Sequence, residues 1–461
     1  MTLSSPEFAL FLPLVLALAA ACRRPGGRNL LLLGASCWFY AVWDVRFLAL
    51  LLAGSLADHL LALAMARRPA AARHPLLLVS LTMNLGLLGL FKYNGFFLDS
   101  AASLLEAFGL HPGGLGLMLP LGISYYTFLR IGHAVDVFRG DVRPERNPVP
   151  FLLYCTFFPH ILAGPLTRAR DLLPQFATAP AISRENLEDG FRLLSLGLFK
   201  KLVLADRLGM VAGPIFANAQ AYDTATVWAG TLAYSLQIYL DFSGYTDMAR
   251  GSARCLGYDL AGNFHFPYLS RSPAEFWRRW HMSLSFWFRD YLYIPLGGNR
   301  VSLPRNCANL MLTMLLCGLW HGAGWTFVCW GAWHGAGLVA HRLWRRGFGP
   351  AEGVLARALA LAGTLLFVHL GWVLFRAETF GQAAEVLSAM FLAAGPISWI
   401  HPVVPAALLL TAAAHLLHAR RPQWDPLPRD GACTPFLLLT LFGLAVVFAT
   451  DGFTPFLYAR F

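Results

Sequence analysis

The chain has 461 residues, of which 57% are apolar and 13% charged, and its mean hydropathy is +0.54. Soluble globular domains are about a quarter charged and somewhat under half apolar, so these proportions exclude a water-soluble domain. The 63 aromatic residues and the lack of a short repeat exclude disorder and fibrous architectures. Composition alone therefore predicts a polytopic membrane protein, and the apolar runs along the chain predict that it is all-α.

The formal charge is +11, from 33 Arg and 3 Lys against 25 acidic residues. On a soluble domain, this excess of positive charge would suggest binding to nucleic acid. The cytoplasmic loops of membrane proteins carry a similar excess of Lys and Arg. The arginines lie in short clusters between apolar runs, as expected for cytoplasmic loops. We therefore expect no nucleic-acid partner. The eight cysteines are scattered without CxxC spacing, so neither a metal site nor a disulfide framework is predicted.

The first apolar run, residues 8–22, has the length of a signal peptide. Glu7 precedes it without a nearby Lys or Arg, whereas Arg23 and Arg24 follow it. A signal peptide carries these flanks in the opposite order. We therefore predict a retained first span whose N-terminus lies outside the cytoplasm.

Further apolar runs follow with short links between them, so we expect a single integral membrane domain over 1–461. About 20 apolar residues cross the hydrocarbon core. Because some runs are short or carry charge, about eleven to thirteen spans are predicted, some of them half-helices or interfacial helices. The candidates are 6–22, 29–43, 47–66, 75–97, 118–138, 148–164, 188–216, 225–247, 306–320, 325–344, 354–375, 402–418 and 434–450.

The segment 250–305 breaks this pattern, since it holds eight Arg against three acidic residues and many aromatic residues. Its charge places it on the cytoplasmic side. Ser272 and Glu275 form a capping box, with Pro273 at the first helical position. We expect one amphipathic helix over 273–294 that lies along the membrane surface or dips into the protein.

The candidate centre for chemistry is His321, in the sequence Leu319-Trp320-His321-Gly322-Ala323-Gly324-Trp325. Its side chain ends an apolar run, and polar groups at membrane depth tend to mark sites. An imidazole is the usual general base near neutral pH. From local sequence alone, a histidine hydrogen-bonded in the helix bundle remains the alternative.

Two further histidines stand in aromatic surroundings. His334 repeats the Trp-His-Gly pattern thirteen residues after His321, which is about 220° of helical turn, so we interpret it as structural. His281 lies beside Trp277 and Trp280. By itself it would be a packing histidine more often than a catalytic one.

Two carboxylates, Asp241 and Asp247, stand at the end of an apolar span. The favoured interpretation is that they bond nearby backbone or pair with Arg250 or Arg254. The alternative is a carboxylate that orients a histidine. No GxSxG, P-loop, GxGxxG or HExxH element occurs in the chain.

One block rich in tryptophan and arginine covers residues 276–298, FWRRWHMSLSFWFRDYLYIPLGG. This block resembles the signature of the membrane-bound O-acyltransferase (MBOAT) family, in its branch of alginate O-acetylation and teichoic-acid D-alanylation. Further matches in the same order are GISYYTF at 122–128, GPLTR at 164–168, LDFSGY at 240–245, LWHGA at 319–323 and WVLFRA at 372–377. The chain departs from the pattern at 129–133, which contains Arg130 and His133, and at 456–461, which contains Arg460.

The resemblance implies a ring of tilted helices, some interfacial or re-entrant, around a funnel that reaches a central histidine. It implies His321 as the essential catalytic histidine and His281 as the second. The donor would be acetyl-CoA from the cytosol, with no permanently bound cofactor. The remaining candidates for binding donor or substrate are Arg278, Arg279, Arg289, Trp277, Trp320 and Asp241.

We therefore predict a multi-pass enzyme of the bacterial inner membrane, surrounded by lipid. It would pass an acetyl group toward an exported polysaccharide, alginate first, through a periplasmic partner of the SGNH-hydrolase type. Alternative acceptors are peptidoglycan, cellulose, teichoic acid (by D-alanylation), a lipid or a small secreted molecule. Two alternatives outside catalysis are a transporter of lipid-linked sugar, which does not explain the basic tryptophan-rich segment, and an inactive scaffold.

Overall fold

The protein is seen in a computed structural model that describes residues 1–107, 116–178, 180–349, 352–429 and 431–449. Within these ranges the regular structure is helical. The β contacts found there are two isolated bridges, Tyr222 with Ile397 and Asp223 with Ala394. The predicted all-α fold is confirmed. The departure noted at 456–461 lies outside the described residues.

Most helices coincide with the apolar runs of the sequence. The α-helices in chain order are α1 Pro6–Ala21, α2 Pro25–Ala41, α3 Val45–Ala66, α4 His74–Leu88, α5 Asn94–Ala107, α6 Ile123–Arg139, α7 Pro148–Thr156, α8 Ala169–Thr178, α9 Arg184–Leu198, α10 Asp206–Ala217, α11 Thr224–Cys255, α12 Pro273–Arg279, α13 Met282–Phe288, α14 Leu303–His321, α15 Trp325–Gly347, α16 Val354–Arg376, α17 Phe380–Leu392, α18 Val403–Arg420 and α19 Thr434–Val447. Short π-helical segments continue α4, α9 and α13, at Gly89–Tyr93, Phe199–Ala205 and Arg289–Tyr293.

Four helical stretches are long and apolar enough to cross a bilayer: Val45–Ala66, Ala70–Ala102, Val354–Arg376 and Val403–Arg420. Many of their leucines are exposed, which suits contact with lipid. The chain is a multi-pass membrane protein. The predicted span 148–164 is wrong in length, because α7 ends at Thr156 and is too short to cross the hydrocarbon core.

The described residues group into two compact units, one made of 1–194 and 248–261, the other of 195–247 and 262–461. In the first unit, Arg28 on α2 donates to the backbone carbonyls of Pro180 and Leu256. This buried guanidinium ties the two stretches of chain that form the unit.

In the second unit, α14 and α15 form a tight helical hairpin. Gly318 and Gly331 face the opposite helix so closely that a Cβ on either would collide with a backbone carbonyl, of Phe327 or of Met314. Small residues allow such close approach of membrane helices. The hairpin turn therefore brings the end of α14 directly against the first turns of α15.

Candidate active site: a buried pair of histidines

His321 is the last residue of α14. The helix ends there because Gly322 adopts an extended conformation, and α15 begins at Trp325. The imidazole is 3% exposed. Its ring centroid lies 5.0 Å from that of Trp320, 5.1 Å from that of Trp330 and 5.2 Å from that of Phe375. Aromatic rings therefore surround the candidate base on several sides.

His281 lies at a break in the Arg-rich segment. The predicted continuous helix over 273–294 is wrong: α12 ends at Arg279 and α13 starts at Met282. Between them His281 has φ +41° and ψ +53°, a left-handed conformation that is uncommon for residues other than glycine. The predicted start is confirmed, since the Ser272 hydroxyl accepts a hydrogen bond from the backbone N–H of Glu275.

Asn263, which the sequence analysis did not single out, explains the break. Its backbone carbonyl accepts from the N–H of Met282 at 2.9 Å, which replaces a bond within a helix. Its fully buried side chain accepts from the Ser283 hydroxyl at 2.6 Å and donates to Thr246 Oγ1 at 3.2 Å. The local sequence around Asn263 does not indicate this role, because the residues it bonds lie in other parts of the chain.

The two histidines lie together. Their ring centroids are 6.3 Å apart, and both rings contact Trp320. His281 is fully buried, with Phe242 perpendicular to its ring at 4.5 Å. Imidazole nitrogens reach a partner at about 2.6–3.2 Å, so one small polar group between the rings could contact both. The rings of Phe242, Trp320, Trp330 and Phe375 form an aromatic enclosure around the two histidines. Two imidazoles in such an enclosure suit acid–base chemistry on an acyl group.

Of the predicted binding residues, Trp277 and Trp320 line this region. Trp320 contacts both histidine rings. Trp277 is buried and packs 5.8 Å from Trp330 and 5.2 Å from His334. Both tryptophans therefore belong to the aromatic enclosure.

The three predicted arginines have different surroundings. Arg279 pairs with Glu275 at 2.9 Å and donates to the backbone carbonyl of His265. Arg289 pairs with Asp290 at 2.6 Å. Arg278 is exposed, and no ion pair involving it is found in the part of the chain that the structure describes. Arg278 is thus the best placed of the three to bind an external anion.

Asp241 lies in a buried ion-pair cluster. Lys201 Nζ is 2.7 Å from Asp241 Oδ1 and 2.8 Å from Asp206 Oδ1, with all three side chains almost fully buried. Asp247 pairs with Lys200 at 2.7 Å. Of the two predicted kinds of partner, nearby backbone or Arg250 and Arg254, the ion pairs found in the described residues are with neither: lysines on the π-helical turn after α9 pair with these aspartates, and Arg254 pairs with Asp189 and Asp259.

Two other histidines are packed as structural side chains. His334 lies between the rings of Trp330 at 4.8 Å and Trp277 at 5.2 Å. His160, in the first unit, is buried and bonds the backbone carbonyl of Tyr154 through Nε2 at 2.9 Å. His334 makes no ring contact with His321 among those seen in the described residues.

A multi-pass membrane protein with a buried histidine pair in an aromatic enclosure fits a membrane acyltransferase, and comparison with known proteins agrees. The model of the membrane-bound O-acyltransferase family matches residues 145–378, about half of the chain. The chain belongs to the membrane-bound O-acyltransferase family, and it is an O-acyltransferase.

The chain is 43% identical, over 85% of its length and 78% of the relative's, to a probable alginate O-acetylase AlgI of Azotobacter vinelandii. It is 42% identical to the protein of the same name in Pseudomonas putida, over 85% and 80% of the two chains. A peptidoglycan O-acetyltransferase of Helicobacter pylori is 35% identical, over 81% and 75%. The similarity to these relatives covers most of each chain.

Proposed function

We propose that this protein is an inner-membrane O-acetyltransferase that moves an acetyl group from cytosolic acetyl-CoA toward an exported polysaccharide, alginate first. The observation that carries the proposal is the pair of His281 and His321, with ring centroids 6.3 Å apart and both rings buried. We also propose that residues 1–461 act as one membrane domain, because the family match at 145–378 includes parts of both compact units.

His321 is proposed as the acid–base residue. It takes the proton of the acceptor hydroxyl as the oxygen attacks the thioester carbonyl, and it returns that proton to the leaving CoA sulfur. The C–S bond breaks and a C–O ester bond forms, so that an alcohol and acetyl-CoA become an acetyl ester and CoA. His281 is proposed to assist by donating a hydrogen bond to the oxyanion.

The aromatic enclosure supports this chemistry by excluding water. Trp320, Trp330 and Phe375 pack around the His321 ring. A thioester held there would be protected from hydrolysis, while electrostatic interactions would be stronger than in water. Arg278 is proposed to bind a phosphate of CoA, since guanidinium groups suit phosphate geometry.

The acceptor is proposed from the relatives. The name alginate O-acetylase is borne by relatives at 42–43% identity, which supports alginate. The peptidoglycan O-acetyltransferase at 35% identity makes peptidoglycan the second candidate. A periplasmic partner of the SGNH-hydrolase type is proposed to complete the transfer to the polymer.

The test is ester analysis of a strain that lacks this gene. We expect O-acetyl esters to disappear from the secreted polysaccharide and to return with the wild-type gene but not with His321→Ala. Loss of acetyl groups from muropeptides alone would instead assign peptidoglycan. Unchanged acetylation of both polymers would overturn the proposal.

The donor is tested separately with purified protein and acetyl-CoA carrying a labelled acetyl group. We expect release of free CoA that depends on His321. If another acyl thioester is consumed under the same conditions and acetyl-CoA is not, the assignment of acetyl-CoA as the donor is contradicted.

A further inference from the structure

A cavity lies in the unit formed by 195–247 and 262–461. It has a volume of about 610 Å³ and lies between α11, α16 and α18. Tyr268 and Leu269, from the segment that precedes α12, also line it. Its wall is mostly leucine, and the lining side chains Leu366, Leu408 and Leu416 are also exposed on the protein surface. α16 and α18 are long and apolar enough to cross a bilayer, so we expect these exposed leucines to face lipid. In that position the cavity would be accessible from the hydrocarbon of the bilayer.

Two polar side chains on α18 interrupt this apolar wall. Thr411 and His415 both line the cavity and are 8% and 4% exposed. Thr411 Oγ1 and His415 Nε2 have no hydrogen-bond partner among the described residues. Buried polar atoms without a partner are costly, so each such atom calls for a ligand or water.

The protonation of His415 follows from its other nitrogen. Nδ1 lies 2.8 Å from the backbone carbonyl oxygen of Thr411. A carbonyl only accepts, so Nδ1 must carry the proton and Nε2 of the neutral ring must be an acceptor. The ligand atom that satisfies Nε2 must therefore be a donor, and in an apolar cavity that donor is most simply an uncharged hydroxyl.

Most of the other polar side chains of the cavity are already satisfied; the exception is the indole N–H of Trp372, which has no hydrogen-bond partner among the described residues. His369 contacts the Ser235 hydroxyl through Nδ1 at 2.8 Å and the Thr231 hydroxyl through Nε2 at 3.3 Å. Tyr268 donates its hydroxyl to the backbone carbonyl of Ser235 at 2.6 Å. The unmet acceptor in the cavity is thus His415 Nε2, which lies on the same turn of α18 as the unpartnered Thr411 hydroxyl, while Trp372 on α16 adds one unpartnered donor.

The cavity is distinct from the histidine pair. Trp372 lines it and packs 5.9 Å from Trp330 and 5.5 Å from Phe375. Those two rings contact His321. Neither His281 nor His321 lines the cavity.

We propose that this cavity binds a single-chain membrane lipid that carries a free hydroxyl. The apolar chain lies among the leucines, and the hydroxyl donates to His415 Nε2 and accepts from the Thr411 hydroxyl. The volume lies within the roughly 300–1,000 Å³ of pockets that enclose small ligands. Binding here is separate from acetyl transfer and does not depend on the proposed function.

The test uses full-length protein in detergent micelles and hexadecan-1-ol with a photoreactive diazirine in its chain. We expect saturable labelling of peptides from α16 and α18. Unlabelled hexadecan-1-ol should compete about tenfold better than its methyl ether, because the ether cannot donate to His415. Equal competition by the ether would overturn the role of the hydroxyl.

Variants on the same helix provide matched controls. His415→Phe should weaken binding about tenfold, whereas His415→Gln, which keeps an acceptor, should retain a larger share. His418→Phe, one turn further and outside the cavity wall, should bind as the wild type does. Ala412→Trp, which fills the cavity, should abolish labelling.

Each variant is compared by gel filtration and heat denaturation, so that loss of labelling is scored only on folded protein. Wild-type labelling of folded His415→Phe and Ala412→Trp would overturn the site itself. If His415→Phe alone fails to fold, Ala412→Trp and the ether comparison still decide the proposal.

Discussion

Arg130 Nε lies 3.2 Å from Asp58 Oδ2, and both side chains are fully buried between α6 and α3. Asn84 joins them, since its amide donates to Asp58 at 2.8 Å and its carbonyl oxygen accepts from Arg130 Nε at 2.7 Å. The arginine that departs from the family pattern at 129–133 is thus neutralised within its own unit. Gly54 makes room for it, because a Cβ there would collide with the guanidinium.

This pair predicts a large loss of stability when one partner is removed. We expect Asp58→Leu to destabilise the protein by about 3–5 kcal/mol, because the Arg130 charge would remain buried without its carboxylate. The double variant Asp58→Leu/Arg130→Met should recover most of the loss. Heat denaturation monitored by gel filtration measures both. A single variant as stable as the wild type would contradict this account of the pair.

His321 and His334 share a sequence pattern but are predicted to respond in opposite ways. We expect His321→Ala to lower acetylation by about a hundredfold to ten-thousandfold while its abundance in the membrane is unchanged. The two ring nitrogens of His334 have no hydrogen-bond partner among the described residues. His334→Phe replaces this imidazole with an apolar ring of similar shape. It should retain acetylation and stability. Normal acetylation by His321→Ala would remove this histidine from the mechanism.

The left-handed conformation of His281 predicts a graded response to substitution. His281→Asn tolerates that conformation and should fold normally, yet it should transfer acetyl groups more slowly because the imidazole is lost. His281→Val should in addition lose about 1–3 kcal/mol of stability, because a β-branched residue is strained there. Denaturation midpoints and turnover rates of the two variants, measured side by side, separate strain from chemistry. Equal stability would show that the backbone relaxes.

Asp241 is expected to act on stability rather than on substrate affinity. Lys201 pairs with both Asp241 and Asp206, and Asp241→Leu would remove one of these two carboxylates. We therefore expect a loss of folded protein. The fraction that folds should keep the wild-type KM for acetyl-CoA. A raised KM at unchanged folded yield would instead favour a role in binding. The matched control is Asp259→Leu, which removes a carboxylate that is exposed.

Arg278 is predicted to contribute to donor binding. We expect Arg278→Gln to raise the KM for acetyl-CoA about fivefold at low salt, with less effect at high salt, because an exposed charge is screened. The kcat should not change. Arg289→Gln, whose guanidinium already pairs with Asp290, should have a smaller effect. An equal rise in KM for both variants, or none, would contradict the choice of Arg278.

The apolar runs of the sequence by themselves determined the helical class and the position of most helices. About 20 apolar residues have few alternatives to a helix in lipid, because backbone groups must be satisfied locally. The prediction failed at 148–164, where α7 ends at Thr156. Composition indicated the membrane, but it did not distinguish a crossing helix from a short one that continues in turns.

The sequence also singled out His321, because it ends an apolar run, whereas His281 was singled out only because its block resembles a known family. Only the tertiary structure decided how they meet. The helix break that orients His281 depends on Asn263, and the partner of Asp241 is Lys201 on another helix. Arg130 likewise depends on Asp58. Such contacts join residues far apart in the chain, and they are decided by which helices pack together, which local periodicity and propensity do not specify.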